Sequence, residues 1–217
     1  MMNHQTYSYI TITPNDIPGT SIESCIFIEC DFSRADFSGY QFKNCNFIDG
    51  QSGKGCLFEN TELEEASFIN CNLSHSTFAG ANLFMIEFRQ CNLTGADFKR
   101  AKFAKYFTQE KYDCSAFITA CNLSYANLEN LRLEKCDLFE NRWIGVNLHG
   151  AILNGSDLSR GVFSSDVWGA FSFSHADLSH VELEGLDPRK VNVEGVRVCR
   201  WQQEELLAAM GFELVND

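Results

Sequence analysis

Ten cysteines and five histidines are the side chains of this 217-residue chain that could bind a metal ion or carry out redox or nucleophilic chemistry. Paired Cys-x-x-Cys spacings, which mark many such sites, do not occur in the sequence. Most of the cysteines instead share one register, two residues before a large apolar residue: Cys25, Cys30, Cys45, Cys56, Cys71, Cys91, Cys121 and Cys136. Alanine fills the same position elsewhere, so we interpret these cysteines as small buried side chains. We predict no metal and no cofactor; Cys114 and Cys199 fall outside the register.

The histidines give no indication of catalysis. His75, His149, His175 and His180 fall at positions that we expect to face solvent, and none has the spacing of a nucleophile or metal site. A glycine-rich phosphate loop is also missing from the sequence, and a packed repetitive core offers no deep pocket for a substrate. The sequence therefore predicts a protein that is not an enzyme.

The elements that hold these residues follow from a period of five. Large apolar residues recur at every fifth position, as in Phe32, Phe37, Phe42 and Phe47. Positions five apart on a helix are separated by about 140°, and on a flat strand they point to opposite faces, so neither element gathers them on one side. A chain that turns a corner after each short strand does gather them. The sequence therefore predicts an all-β fold, a coiled β-solenoid.

The period continues through most of the chain. Central residues run from Phe27 to Phe47, from Phe58 to Phe103 and from Ile118 to Leu183, and each central residue shares an inward face with the residue two positions before it. Breaks at residues 48–56 and 104–115 predict two projecting loops. Within the third run, Asn141, Asp166 and Phe171 occupy the small inward position. We expect local distortion or a satisfied polar ladder there, because an inward polar group needs hydrogen bonds.

The charge and hydrophobicity of the sequence limit the kinds of partner that the protein can bind. The net charge of −12 opposes direct binding to nucleic acid or anionic membranes and favours a basic partner. The sequence has no long apolar span and no signal peptide at its start, so we predict a cytoplasmic protein. We divide it into an N-terminal segment (1–16), a repeat domain (17–198) and a C-terminal cap and dimerisation segment (199–217).

Units such as ADF, CNL, ANL and SDL resemble the pentapeptide repeat A(D/N)LXX over roughly residues 17–198. The resemblance implies a right-handed quadrilateral β-helix with four pentapeptides in each coil. More specific stretches, namely CSAFI, CNLSYANL, LEKCDLFENRWIG, SDLSRGVFSSDVWG and LDPRKV, are similar to the Qnr-type quinolone resistance proteins. That resemblance implies a homodimeric DNA mimic that binds DNA gyrase and topoisomerase IV and protects them from quinolones. The alternative is a pentapeptide-repeat scaffold for another protein, whose acidity is incidental.

The candidate site residues fall into three groups. The two loops are implied to engage the topoisomerase through Gly50, Ser52, Lys54, Lys105, Tyr106, Phe107, Lys111 and Tyr112. The loop aromatics either project as anchors for a partner or fold back on the coil. Asp137, Asp157 and Asp177 lie twenty residues apart and should form an acidic ladder, either for recognition or for hydrogen bonds to the adjoining turns. A C-terminal helix either caps the last coil or forms a dimer interface, which the resemblance favours, through Trp201, Leu206, Leu207 and Met210.

Overall fold

The computed structural model describes residues 2–215, so residues 1, 216 and 217 of the predicted terminal segments lie outside the described residues. Its strands are short because each one ends at a corner of the coil. The strands are β1 Met2–Asn3, β2 Thr6–Ser8, β3 Ser21–Glu23, β4 Ile26–Ile28, β5 Gln41–Lys43, β6 Ser67–Ile69, β7 Ile86–Arg89, β8 Ala104–Tyr106, β9 Tyr112–Cys114, β10 Ala116–Thr119, β11 Arg142–Trp143 and β12 Val162–Phe163. Two 3-10 turns, Pro14–Asp16 and Arg200–Gln202, and one helix, α1 Gln203–Ala209, complete the described part.

Parallel pairing stacks the chain on itself in a coil of twenty residues. Ile22 pairs with Phe42, and the separation grows to 26 residues at Phe42 and Phe68 and to 30 at Phe88 and Ile118, because the two insertions lie between them. Isolated parallel β-bridges repeat this stacking at the other positions around the coil. The coil therefore has four faces, which we number by their central residues: face 1 contains Phe42, face 2 Phe47, face 3 Phe58 and face 4 Leu63.

Central residues fill the interior of the coil. Phe58, Phe78 and Phe98 are fully buried on face 3, and their rings stack with centroids 4.9 and 5.0 Å apart. This spacing is close to the distance between neighbouring strands, as the period of five predicted. Phenylalanine dominates the first half of the core and leucine the second. Each buried ring or leucine contributes about 1.5–3 kcal/mol of stability.

The small inward positions are also buried. The eight cysteines in this register are 0–3% exposed, as predicted. Asn141 is buried in the same register, where its Oδ1 accepts a hydrogen bond from the backbone N–H of Cys121 at 2.8 Å. Its Nδ2 donates to the carbonyl oxygens of Ile118 and Leu138. The expected satisfied polar contact is therefore present at this position.

Corners of the coil use left-handed backbone two residues after a central residue, as at Asn60 and Asn70, where φ is 55° and 53°. Asparagine and glycine tolerate this conformation better than other residues. At Gly185, φ is 83° and a Cβ atom would lie 2.0 Å from the carbonyl oxygen of Ser165. Only glycine fits at that corner without a shift of the neighbouring coil.

The regular pairing extends further toward the N-terminus than residue 17 and is interrupted near the other end of the coil. Strand β2 pairs in parallel with β4, so strand pairing starts before residue 17, where we expected the repeat domain to begin. Between Phe163 and Phe171 the period fails: Phe163 and Trp168 are only partly buried and Asp166 is exposed. Trp168 instead donates its indole N–H to the carbonyl oxygen of Glu184 at 2.9 Å. The coil thus distorts where the sequence places Asp166 inward, because burial of an unpaired carboxylate is unfavourable.

Candidate protein-binding site

The second insertion is an antiparallel hairpin, β8 and β9, that leaves the coil between face 4 and face 1. Tyr106 pairs with Tyr112, and their rings lie 5.3 Å apart. The turn closes through a 2.8 Å hydrogen bond from the N–H of Phe107 to the carbonyl oxygen of Lys111. We call residues 104–114 the hairpin. Pairing between its two strands brings the predicted loop residues of this insertion together.

Side chains on the neighbouring coils fasten both strands of the hairpin. The hydroxyl of Tyr112 donates to Oε2 of Glu134 at 2.7 Å and accepts from Nη1 of Arg132 at 2.5 Å. The guanidinium of Arg132 also lies over the Tyr112 ring, 4.6 Å from its centroid. The hydrogen bond to Glu134 is the main cause that raises the pKa of Tyr112. Lys105 pairs with Glu64 at 2.6 Å on the other strand.

The tip of the hairpin remains exposed. Tyr106 and Phe107 are 58% and 66% exposed, and Lys111 at the turn is exposed as well. A cleft of about 480 Å³ separates Tyr106 from face 4, where Arg100 and Lys102 line it. The loop aromatics therefore differ in degree: Tyr112 contacts the coil through Arg132 and Glu134 and is still 37% exposed, whereas Tyr106 and Phe107 project further.

The first insertion is a tight loop between face 2 and face 3, at the edge of the coil opposite the hairpin. The buried Asp49 organises it by accepting hydrogen bonds from the N–H groups of Gln51 and Ser52. A hydrogen bond from the Ser52 side chain is the main cause that lowers the pKa of Asp49, and the backbone bonds from Gln51 and Ser52 lower it further. Ser52 and Lys54 contact Glu29 at 2.9 and 3.1 Å, so both predicted side chains are held by the coil.

Gly50 lies at the exposed end of this loop, with no atom within 4 Å of where a Cβ atom would be. The loop therefore projects less than the hairpin and presents mainly backbone. The sequence prediction missed its organising residues, Asp49 and Glu29, and also Glu134 beside the hairpin. The segment Asp-Gly-Gln-Ser-Gly does signal such a turn, since aspartate commonly bonds to backbone N–H groups two and three residues ahead.

The acidic ladder lies on face 1. Bridges connect Asp137 to Asp157 and Asp157 to Asp177, and Arg197 follows Asp177 on the same face. Each carboxylate accepts a hydrogen bond from the N–H two residues ahead, as Asp157 does from Ser159 at 2.9 Å. Both alternatives for the ladder stay compatible with this geometry, because one oxygen of each carboxylate bonds the turn and the second can contact a basic group, as the second oxygen of Asp177 does with Arg197.

At the end of the ladder, Arg197 pairs with Asp177 at 2.7 Å. Partial burial alone would raise the pKa of Asp177, but hydrogen bonds from Ser179 and the charge of Arg197 outweigh it and lower that pKa. Asparagine occupies the corresponding outward position on other faces of the coil, where Asn122 Oδ1 accepts the same kind of bond from the N–H of Ser124 at 3.1 Å. Aspartate and asparagine are thus equivalent for the turn and differ in charge.

The C-terminal helix covers the last coil. Gln202 is buried, and its Nε2 donates to the carbonyl oxygens of Leu178 and Val181. Leu206 packs against the core, which accounts for one of the four residues predicted for the dimer interface. Leu207 is partly buried, whereas Trp201 and Met210 are 50% and 39% exposed. Further apolar side chains exposed beyond the helix are Phe212, Leu214 and Val215. The helix therefore caps the coil with one side and leaves an apolar surface on the other.

Within residues 2–215, no group of three or more His, Cys, Asp or Glu side chains could hold a metal ion. The same residues contain no helix that combines the length and the apolar character needed to cross a membrane.

A coil that buries one large and one small side chain in each five-residue unit defines the class of pentapeptide-repeat β-helices. Two family models agree: "Pentapeptide repeat region" matches residues 20–98, and "Pentapeptide repeats (8 copies)" matches residues 118–160. Neither model describes an enzyme.

Individual relatives indicate a subgroup within this class of pentapeptide-repeat proteins. Pentapeptide repeat protein VPA0095 of Vibrio parahaemolyticus is 51% identical over 132 residues, 61% of each chain. Pentapeptide repeat protein QnrB4 of Escherichia coli is 44% identical over 140 residues, 64% of this chain and 65% of the relative. The matches thus span somewhat less than two thirds of these curated relatives. The solved structure of full-length QnrB1, a plasmid-mediated fluoroquinolone resistance protein, is 43% identical with a TM-score of 0.90 and is matched over 97% of this chain and 100% of that one. The chain belongs to the pentapeptide-repeat family and is a Qnr-type member of it.

Proposed function

We propose that this protein confers quinolone resistance by binding DNA gyrase and topoisomerase IV as an acidic mimic of DNA. The observation that carries the proposal is the match to QnrB1 over nearly the whole chain. Proteins named for quinolone resistance also include QnrB96 of Scandinavium goeteborgense, 42% identical over 137 residues, 63% of this chain and 64% of that one. The protein acts without catalysis, as a regulatory binder in the cytoplasm, where its partners handle DNA.

Charge supports the mimicry. The net charge of −12 is arranged along a stacked coil, in which Asp137, Asp157 and Asp177 follow one another at the strand spacing. A narrow anionic coil presents to a basic groove a field like that of duplex DNA. The same charge disfavours direct contact with nucleic acid. Basic grooves that hold DNA in a topoisomerase are therefore the surfaces on which we expect the coil to lie.

The hairpin supplies the more specific contact. Tyr106 and Phe107 are exposed at its tip, next to Lys111 and Lys105. Exposed aromatic side chains on a fixed support are the residues that most often dominate the binding energy of a protein interface. The loop around Gly50 adds a second contact at the opposite edge, through its backbone and the held side chains of Ser52 and Lys54.

The C-terminal surface supports self-association. Trp201 and Met210 expose apolar area beside Phe212 and Leu214, and monomeric proteins rarely leave such a patch uncovered. A second copy of the chain can cover it through a two-fold interface, because the same patch on both protomers is self-complementary. We propose that Leu206 and Leu207 support this homodimer interface from the coil side.

A supercoiling assay tests the function directly. DNA gyrase is inhibited with ciprofloxacin, and the purified protein is added over a range of concentrations below and above that of the enzyme. We expect supercoiling to recover at substoichiometric protein, and the same in decatenation by topoisomerase IV. Absence of recovery in both assays would remove the proposal and favour the scaffold alternative, in which another protein is the partner.

A matched set of variants then assigns the site. Tyr106→Ala with Phe107→Ala should weaken gyrase binding by about thirtyfold or more, because a dominant aromatic anchor contributes on the order of 2 kcal/mol. Tyr125→Ala, an aromatic that is 69% exposed on the coil, is the control and should bind normally. Unchanged binding by the hairpin variant would remove the hairpin from the site without affecting the proposed protection.

Charge is tested separately by Asp137→Asn, Asp157→Asn and Asp177→Asn in one chain. Asparagine keeps the hydrogen bond to each turn, so the coil stays folded and only the charge of the ladder changes. We expect weaker binding to gyrase and a smaller dependence of that binding on salt. An unchanged salt dependence would show that the acidic ladder serves the fold alone.

A further inference from the structure

Two cysteines lie side by side at the base of the hairpin. Cys114 is the last residue of β9 and is partly buried, and Cys136 occupies the small inward position of face 1. Their Sγ atoms are 3.8 Å apart. Sulfur atoms in a disulfide are about 2.0 Å apart, so rotation of the side chains and a small shift of the strand end would join them. Cys114 is one of the two cysteines outside the five-residue register.

This pair differs from the other cysteines of the coil because an oxidant can reach one of its two sulfur atoms. Cys45, Cys71 and Cys91 stack inside the coil and are each 2% exposed, so an oxidant cannot reach them without unfolding. Cys114 lies where the hairpin rejoins the coil and is accessible from its open side, lined by Tyr112, Asp113 and Glu134. One partner of the pair is therefore reachable, and the other is held in place by the coil.

Ionisation also differs between the two thiols. The hydrogen bond from Cys136 is the main cause that lowers the pKa of Cys114, and the same bond raises the pKa of Cys136. The charge of Glu134 opposes ionisation of Cys114 and that of Arg132 favours it, and Sγ of Cys114 lies 3.4 Å from the carbonyl oxygen of Arg132. Thiolates are the attacking species in disulfide exchange, so Cys114 is the group that reacts first.

We propose that Cys114 and Cys136 are a redox-sensitive dithiol that glutathione disulfide converts to an internal disulfide. The thiolate of Cys114 attacks one sulfur of glutathione disulfide, and one glutathione leaves as a thiolate that takes up the proton lost by Cys114. Cys136 then loses its proton and attacks the sulfur of Cys114, and the second glutathione leaves and takes up that proton. Two protein thiols are oxidised and one glutathione disulfide is reduced to two glutathiones.

The bond would tie the end of the hairpin to the coil. Cys114 follows Tyr112, which already contacts Glu134, so the new link strengthens a contact that is present in the reduced protein. Formation of the disulfide therefore fixes the hairpin in its observed position and leaves the core unchanged. Slower backbone hydrogen exchange within residues 104–114 is the expected consequence.

Intact-mass measurement after incubation of the folded protein with glutathione disulfide tests the inference. We expect a loss of two hydrogen atoms in mass, a peptide that links Cys114 to Cys136, and reversal by dithiothreitol. Hydrogen exchange in the hairpin should slow in the oxidised protein while exchange in the coil stays unchanged. A stable glutathione adduct without an internal link, a link between other cysteines, or no reaction at Cys114 would each overturn the proposal.

Cysteine-to-serine variants assign each of the two exchange steps to one cysteine. Cys136→Ser should stop the reaction at a glutathione adduct on Cys114, since serine occupies the same inward position at Ser76 and Ser156 and is accommodated there. Cys114→Ser should remove the reaction altogether. Cys199→Ser, which changes the partly buried cysteine near the C-terminal cap, should react like the unaltered chain. An internal disulfide that persists in Cys136→Ser would assign the link to a different cysteine. All readouts are independent of topoisomerase binding.

Discussion

The coil and the hairpin depend on different contacts for their order. In the coil, Phe78 is fully buried between Phe58 and Phe98, and each such residue contacts the coil before and the coil after it. In the hairpin, Phe107 is 66% exposed, and the strands are fastened to the coil through Tyr112 and Lys105. The coil therefore provides rigidity, and the hairpin provides accessible aromatic surface.

This difference separates stability from recognition along the chain. Substitutions inside the coil should act on the free energy of unfolding, because neighbouring coils stabilise one another. Substitutions at the tip of the hairpin should leave that free energy unchanged and act on binding. The predictions below test how far the separation holds, and they start with the largest expected effect.

Phe78→Ala should lower the free energy of unfolding by about 3–5 kcal/mol, because it leaves a cavity in a stacked column of rings. Urea unfolding followed by circular dichroism measures the change. Phe107→Ala is the matched control in the hairpin and should change stability by less than about 0.5 kcal/mol. Comparable losses for the two variants would contradict the division between coil and hairpin.

Asn141→Ala should lower the free energy of unfolding by about 1–3 kcal/mol, because the buried N–H of Cys121 then has no acceptor. Asn141→Ser is the control, since Ser156 in the same inward position accepts a hydrogen bond from the N–H of Cys136 at 3.0 Å. The serine variant should therefore lose less stability than the alanine variant. Equal losses would mean that volume, and not hydrogen bonding, explains the asparagine.

Tyr112→Phe should change global stability by less than about 1 kcal/mol, since its hydrogen bonds lie at the surface, but it should accelerate hydrogen exchange in the hairpin. The variant loses the hydroxyl that bonds both Arg132 and Glu134, whereas these two side chains still pair directly with each other. Tyr106→Phe is the control in the opposite strand and should leave exchange unchanged. If both variants exchange alike, the contact with Glu134 does not fasten the hairpin.

Asp177→Asn should have the smallest effect, below about 1 kcal/mol, because Arg197 is exposed to solvent. The pKa of Asp177 is lowered in the folded protein. Its contribution to stability is therefore present above the unfolded pKa of about 3.9 and is lost as the pH falls through the lower folded value. Unfolding of both proteins at neutral and acidic pH measures this difference. Arg197→Gln should likewise lower the free energy of unfolding at neutral pH and leave it unchanged in acid. If either variant remains less stable than the unaltered protein in acid, the ion pair does not explain the loss.

Much of the coil could be predicted from local pattern. The five-residue period correctly predicted the stacked column of Phe58, Phe78 and Phe98. The shared register of the small residues likewise predicted the burial of Cys71 and Ala81. The regular period failed at Phe163 and Trp168, where Val167 and Phe171 are buried instead. Pattern could indicate a disturbance near Asp166 but not which neighbours would replace the missing central residue, because that choice depends on packing against the adjacent coils.

The candidate site was predictable in position but not in contacts. The sequence marked both insertions, yet it left open whether Tyr112 projects or folds back, since its partners Arg132 and Glu134 lie on the following coil. The position of Cys114 beside Cys136 was likewise not apparent from the register. Both contacts arise because the coil brings residues about twenty positions apart together.

The sequence by itself determined the coil, because a period of five with one large and one small inward residue can be satisfied only by a chain that turns at each unit. It also determined the acidity of the surface and the sites of insertion. Only the tertiary structure decided which side chains hold the hairpin, which aromatics remain exposed, and where Cys114 lies. Those contacts join separate coils, and their free energies depend on geometry that no local stretch of sequence contains.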